Sequence, residues 1–194
     1  MSTITVFESV SLDGVMQAPG RADEDTRNGF AHGGWSNGYQ DDISMGFAAE
    51  GMTQDGALLF GRRTYEDLLG FWSAASFENP FSDVLSRKTK YVVSRDASTK
   101  PVYPNSHLLA GDAPATVKRL RDGVDLDLTI LGSGELVRSL HAAGLIDRYI
   151  LLIHPIVLGS GTSLFGPADR VDLDLERALP TTTGVVIASY RVRG

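Results

Sequence analysis

The sequence predicts a three-layer α/β domain whose sheet is mostly parallel, with an antiparallel edge near its C-terminus. Three observations lead to that class. Short apolar, β-rich runs alternate with helical stretches through residues 4–143, the order that places helices between parallel strands. Two or three strands then finish the chain with no helix between them, which builds an antiparallel edge. The 194 residues are 42% hydrophobic, enough for one folded domain with a sizeable core.

The first strand covers 4–10, rich in β-formers, and Ser11-Leu12-Asp13-Gly14 closes it with a turn. Residues 17–40 are polar and Gly-rich, a loop long enough to be functional. A helix follows over 42–51, with Gly51 as its stop. Residues 57–60 form a short buried strand, Gly61 ends it, and 64–69 continue as a helix. A short helix at 80–87 leads to a strand at 91–94 and a brief one at 108–109. Asp112 caps the next helix, with Pro114 in its first turn and Gly123 at its end. Residues 126–131 are a strand and 135–143 a helix ended by Gly144. Strands at 149–157, 171–179 and 185–192 complete the chain. In the middle one Val171, Leu173 and Leu175 alternate with Asp172, Asp174 and Glu176, the pattern of a half-exposed strand.

Composition removes several function classes. A net charge of −6, with arginines only in small groups such as Arg62-Arg63, disfavours a nucleic acid partner. The chain contains no cysteine, which excludes disulfides, thiolate metal sites and a cysteine nucleophile. The four histidines lack ligand spacing, so no metal is expected. His154, before Pro155 on an apolar strand, reads as a satisfied core histidine. No secretion signal is apparent at the N-terminus. The longest apolar run, 149–158, is too short to span a bilayer. A cytoplasmic protein without membrane contact is expected.

Three strand ends carry candidate chemistry. At Leu131-Gly132-Ser133-Gly134-Glu135-Leu136 an apolar strand ends in two glycines and a helix begins. Backbone amides at such a junction can face an anion, and glycines admit a phosphate closely. At Gly61-Arg62-Arg63-Thr64 a second strand-to-helix junction adds guanidinium groups and a hydroxyl, suited to a diphosphate or a 2′-phosphate. At Ser94-Arg95 a third strand delivers a hydroxyl and an arginine, and an arginine there favours NADP over NAD. Ligands of open α/β sheets bind outside the carboxyl ends of strands, so the three junctions converge on one edge. The spacing lacks the third glycine and the later acidic residue of a Rossmann fingerprint, and no Walker A loop occurs.

The chain resembles the dihydrofolate reductase superfamily, and within it the branch of the C-terminal reductase domain of bifunctional riboflavin biosynthesis proteins. The resemblance rests on Ser11-Leu12-Asp13-Gly14, Leu59-Phe60-Gly61-Arg62-Arg63-Thr64-Tyr65-Glu66, Tyr91-Val92-Val93-Ser94-Arg95 and Ile130-Leu131-Gly132-Ser133-Gly134-Glu135-Leu136, in order. The segments His154-Pro155-Ile156-Val157-Leu158-Gly159 and Leu164-Phe165 also fit. It implies a single dihydrofolate reductase-like domain that uses NADPH to deliver hydride to a small planar heterocycle, pterin-like or 5-amino-6-(5-phosphoribosylamino)uracil-like. By position, Gly61, Arg62, Arg63 and Thr64 hold phosphate, and Ser94 and Arg95 the adenosine 2′-phosphate. Gly132, Ser133, Gly134, Glu135 and Leu136 line the pyrophosphate and nicotinamide side. Where riboflavin-pathway reductases usually carry a lysine after the Asp-Gly pair, Val15-Met16 follows here.

Such a reductase needs a proton source. Asp13 is the candidate, if a partly desolvated cleft raises its pKa; an Asp capping its own turn is the competing reading. Ser11, Trp35 and Asp42 are the candidate substrate-side residues, with Trp35 stacking on a planar ring or else anchoring its loop. The resemblance also implies a homodimer, to which 149–158 contributes an interface or simply core. An NADP-binding module without turnover, or a structural dimeric partner protein, remain as alternatives.

Overall fold

The computed structural model describes residues 2–74, 80–132, 134–167 and 169–194. Its strands are β1 (Ile4–Ser11), β2 (Ala57–Gly61), β3 (Lys90–Ser94), β4 (Ser106–Ala110), β5 (Leu128–Leu131), β6 (Arg148–His154), β7 (Leu173–Pro180) and β8 (Val186–Val192). The helices are α1 (Asp42–Thr53), α2 (Arg62–Ala74), α3 (Pro80–Arg87), α4 (Ala113–Gly123) and α5 (Gly134–Ala142). The strands form one sheet in the order β4-β3-β2-β5-β1-β6-β8-β7. β4 through β6 run parallel to one another, while β8 pairs antiparallel with both β6 and β7. This is the α/β fold with an antiparallel edge that the element order predicts.

Alternation along the strands makes the three layers. Ile4, Val6 and Val10 of β1, Leu59 of β2 and Leu128 and Ile130 of β5 pack with Val117 of α4 and with Leu136, Val137 and Leu140 of α5. The intervening Leu58, Phe60, Val92 and Leu131 pack on the other face with Tyr65 and Leu69 of α2 and Leu85 of α3. β2 is buried on both faces, as a central parallel strand should be. β7 lies at the edge with Leu175 exposed. Its Asp174 pairs with Arg191 and Arg193 at 3.1 and 2.5 Å, and charges of this kind blunt an open edge.

Local signals set most boundaries. Asp112 accepts the Ala115 amide at 3.1 Å and starts α4, with Pro114 in its first turn. Asp41 and Ser44 form a capping box on α1. The C-terminal end of α3 is closed by Lys90 of β3, a fully buried residue whose Nζ donates to the carbonyls of Leu85 at 2.5 Å and Lys88 at 2.6 Å. A lysine here satisfies helix-end carbonyls that otherwise lack partners.

The loop at residues 17–40 is folded onto the domain. Buried Gln17 donates to the carbonyls of Asp25 and Arg27, both at 3.1 Å, and accepts the Thr162 amide at 2.9 Å. Trp35 is buried with Val15, Ala18 and Phe30, and its indole N–H donates to the Gln17 carbonyl at 2.7 Å. Two rings of this loop, Trp35 and Tyr39, meet the buried His154 edge to face. His154 Nδ1 lies 3.0 Å from the Leu152 carbonyl, a core histidine as expected. β6, which carries most of 149–158, lies inside the sheet between β1 and β8.

Candidate active site

A cleft of about 700 Å³ opens at the carboxyl ends of β1, β2, β3 and β5. The parallel register brings these ends level, so the junctions named from sequence meet there. Gly61, Arg62, Arg63 and Thr64 line it from the β2–α2 junction, and Ser94 and Arg95 from the end of β3. Gly132, Gly134, Glu135 and Leu136 line it from the β5–α5 junction; Ser133 lies outside the described residues. Gly111 and Ala113, at the start of α4, add a further strand-to-helix junction.

Two glycines have steric reasons to be glycine. Gly132 has φ +69°, where a side chain costs roughly 1–2 kcal/mol. A Cβ on Gly134 would fall 1.8 Å from the Met16 methyl, so Met16, just before the loop, rests directly on this junction. Gly132 and Gly134 thus flank a tight cradle roofed by Met16.

The arginines divide into two sets. Arg62 pairs with Glu66 at 2.8 Å, and Arg63 reaches Glu135 at 3.5 Å. Arg27 of the loop binds Asp25 at 2.5 Å and Glu135 at 3.1 Å, so Glu135 ties the loop to both strand-end junctions. Arg95 and Arg138 line the cleft with no ion pair among the described residues. They are the cations placed to meet an incoming anion without first breaking a bridge.

The substrate-side residues named from sequence fall elsewhere. The Asp13 carboxylate accepts the Ser11 hydroxyl at 2.6 Å and the amides of Gly159 and Leu158 at 2.8 and 3.1 Å. The Ser11 and backbone hydrogen bonds hold it down to about 2, against an ordinary 3.8. Hydrogen bonds to the charged form do this, so the Asp13 carboxylate is held as an anion that clamps the 158–159 segment. Ser11 is buried, and its hydroxyl also accepts the Val15 amide at 2.9 Å. Trp35 is the loop anchor described above. Asp42 is exposed in the first turn of α1, where its neighbour Asp41 is the cap. None of these four lines the cleft.

Glu8 does. It sits on β1, 7% exposed, facing the cleft floor, with Oε2 3.7 Å from where a Cβ on Gly132 would lie. Burial first, and the nearby Glu24 second, push its carboxyl from 4.5 up to about 8. Glu8 is therefore a neutral carboxylic acid at neutral pH. The sequence holds a signal for it: Ile4, Val6, Glu8 and Val10 share one strand face, and an acid among core positions marks a site or an error. Arg138 follows Glu135 by three residues, which places both on one side of α5.

An eight-stranded, mostly parallel sheet with helices on both faces, an antiparallel C-terminal edge and a cleft across its strand ends defines the dihydrofolate reductase-like class. Solved structures with that fold include a Shewanella sp. PV-4 protein whose name places it in riboflavin biosynthesis. It is 22% identical, with 99% of each chain covered and a TM-score of 0.73. Dihydrofolate reductase from Enterococcus faecalis, crystallised with NADP(H), is 13% identical over 99% of this chain and 97% of its own, at 0.62. The Bacillus subtilis (strain 168) protein YyaP is 29% identical over 182 residues, which is 87% of this chain and 92% of YyaP. The family model of the RibD C-terminal domain matches residues 2–187, and the chain belongs to that family.

Proposed function

We infer that the protein is an NADPH-dependent reductase of a small planar heterocycle, pterin- or aminouracil-like. The observation that carries this reading is the convergence of the β2, β3 and β5 strand ends on one cleft, with Arg95 and Arg138 unpaired among the described residues. Its volume of about 700 Å³ lies within the usual range of small-molecule and cofactor sites, roughly 300–1,000 Å³. The residues fit a dinucleotide phosphate. Gly132 leaves space that a Cβ would fill, whereas at Gly134 that space holds the Met16 methyl. Helix N-termini at Arg62, Ala113 and Gly134 turn amides toward the cleft edge. The family and the neighbouring folds are those of reductases.

When bound, the cofactor supplies hydride from its nicotinamide. On the protein side, Arg95 and Arg138 would neutralise the 2′-phosphate, and Gly132, Thr64 and the start of α5 at Gly134 would hold the pyrophosphate. The loop at 17–40, pinned by Gln17 and Trp35, forms one wall of the cleft through Asp23, Glu24, Asp25 and Arg27. Titration with NADPH and NADH tests the reading. Saturable binding with a clear preference for NADPH is expected, and no binding of either overturns it. Arg95→Ala and Arg138→Ala should each weaken NADPH by about 1–3 kcal/mol, the scale of a lost charge-assisted bond, and leave NADH nearly unchanged.

A further inference from the structure

Glu8 has no place in the family resemblance, yet it is the acid built into the cleft floor. It sits opposite Gly132, because Phe7 pairs with Leu131 across β1 and β5. At 7% exposure it is more than nine-tenths buried and it lines the cleft. An ionised carboxylate there would stand beside the glycine cradle meant for an anion. A protonated one is a hydrogen-bond donor.

We propose that Glu8 is a ligand-binding residue of the cleft: the dinucleotide is accepted only with Glu8 protonated, and the Glu8 hydroxyl donates to an oxygen of the ligand. Binding and the proton on Glu8 are then coupled. The proposal rests on the cofactor reading above.

The surroundings favour the neutral form. From the long loop the cleft receives Asp23, Glu24, Asp25 and Arg27, and Arg27 is engaged by Asp25 and Glu135. From α2 it receives Arg62, Arg63 and Asp67, already paired with Glu66, Glu135 and Arg21 respectively. From the end of β3 come Arg95 and Asp96, and from α5 Glu135 and Arg138. The charged neighbour that acts on Glu8 is Glu24, a like charge. A dinucleotide adds negative charge and removes water, and both raise a carboxyl pKa further. No histidine, lysine or tyrosine lines the cleft among the described residues, and the chain has no cysteine. Between pH 7 and 9.5, the ionisation of Glu8 falls in range; burial also raises the carboxyl of Glu24 beside it, and the Glu8→Gln comparison below separates the two. The ligand's 2′-phosphate titrates lower, near pH 6.

The test is NADPH binding to the full chain from pH 7 to 9.5, followed by nicotinamide fluorescence and by calorimetry in two buffers of different ionisation enthalpy. Wild-type affinity should fall up to tenfold per pH unit above about pH 8. Near pH 9 each binding event should take up close to one proton. Glu8→Gln, neutral and of the same shape, should bind with a flat pH profile and no proton uptake. Wild-type calorimetry decides the question alone if the variant does not fold. Binding with a flat wild-type profile, or with the same slope in Glu8→Gln, overturns the coupling and leaves the cofactor reading standing. Absence of NADPH binding at every pH overturns both.

Discussion

Replacing Glu8 with glutamine should stabilise the ligand-free protein, and increasingly so as pH rises. In the unfolded chain the carboxyl ionises near its ordinary 4.5, whereas in the fold burial holds the proton until about 8. Between those values the folded state binds more protons than the unfolded one, so wild-type stability falls as pH rises through that window. Below about pH 4.5 Glu8 is neutral in both states and costs nothing. At about 1.4 kcal/mol per pH unit, the burden at pH 7 is roughly 3 kcal/mol, rising to roughly 4 kcal/mol at pH 8 and levelling near roughly 5 kcal/mol above it. Because Glu8 is only 7% exposed, solvent screening reduces these figures little. Glutamine never ionises, so Glu8→Gln should lack this slope. For a chain of this size, 3 kcal/mol corresponds to roughly 6–12 °C in Tm. Urea titrations of both proteins at pH 5, 6, 7 and 8 give the difference directly. Parallel profiles across that range would refute the placement of Glu8 as a buried neutral acid.

Other perturbations probe the scaffold of the cleft. Lys90→Met keeps the apolar stem but strips hydrogen bonds from the Leu85 and Lys88 carbonyls; a loss of about 2–6 kcal/mol in urea unfolding is expected, at roughly 1–3 kcal/mol per buried orphan. Gln17→Leu removes the bonds joining the loop to Thr162, and limited proteolysis should then cut within 18–40 much faster, with only a modest fall in Tm. Burial lowers the His154 pKa below its usual 6.5, so the unfolded chain takes up the proton first. Stability should be intact above pH 6.5 and fall below it. His154→Phe should flatten that acid limb in thermal melts.

The strand-end junctions were legible because each is local. Gly61 to Thr64 and Gly132 to Leu136 are contiguous strand-to-helix turns, and nothing distant is needed to see them. The helix caps at Asp112 and the stop at Gly123 are local in the same sense. Asp13 is the opposite case. Its carboxylate is claimed by amides 145 and 146 residues away, a capture that no local pattern encodes. Trp35 and His154 likewise meet only because the long loop packs against β6.

By itself, the sequence determined the order of strands and helices, the parallel sheet with its antiparallel edge, and the glycine–arginine junctions. Those follow from hydrophobic period, turn chemistry and chain connectivity, which are properties of neighbouring residues. The tertiary structure alone decided the environment of the charged groups. It left Arg95 and Arg138 open while pairing Arg62 and Arg63, held Asp13 as an anion, and made Glu8 an acid. Solvation and charge pairing depend on which distant segments close over a group, and a carboxyl's proton is set by that enclosure, not by its residue type.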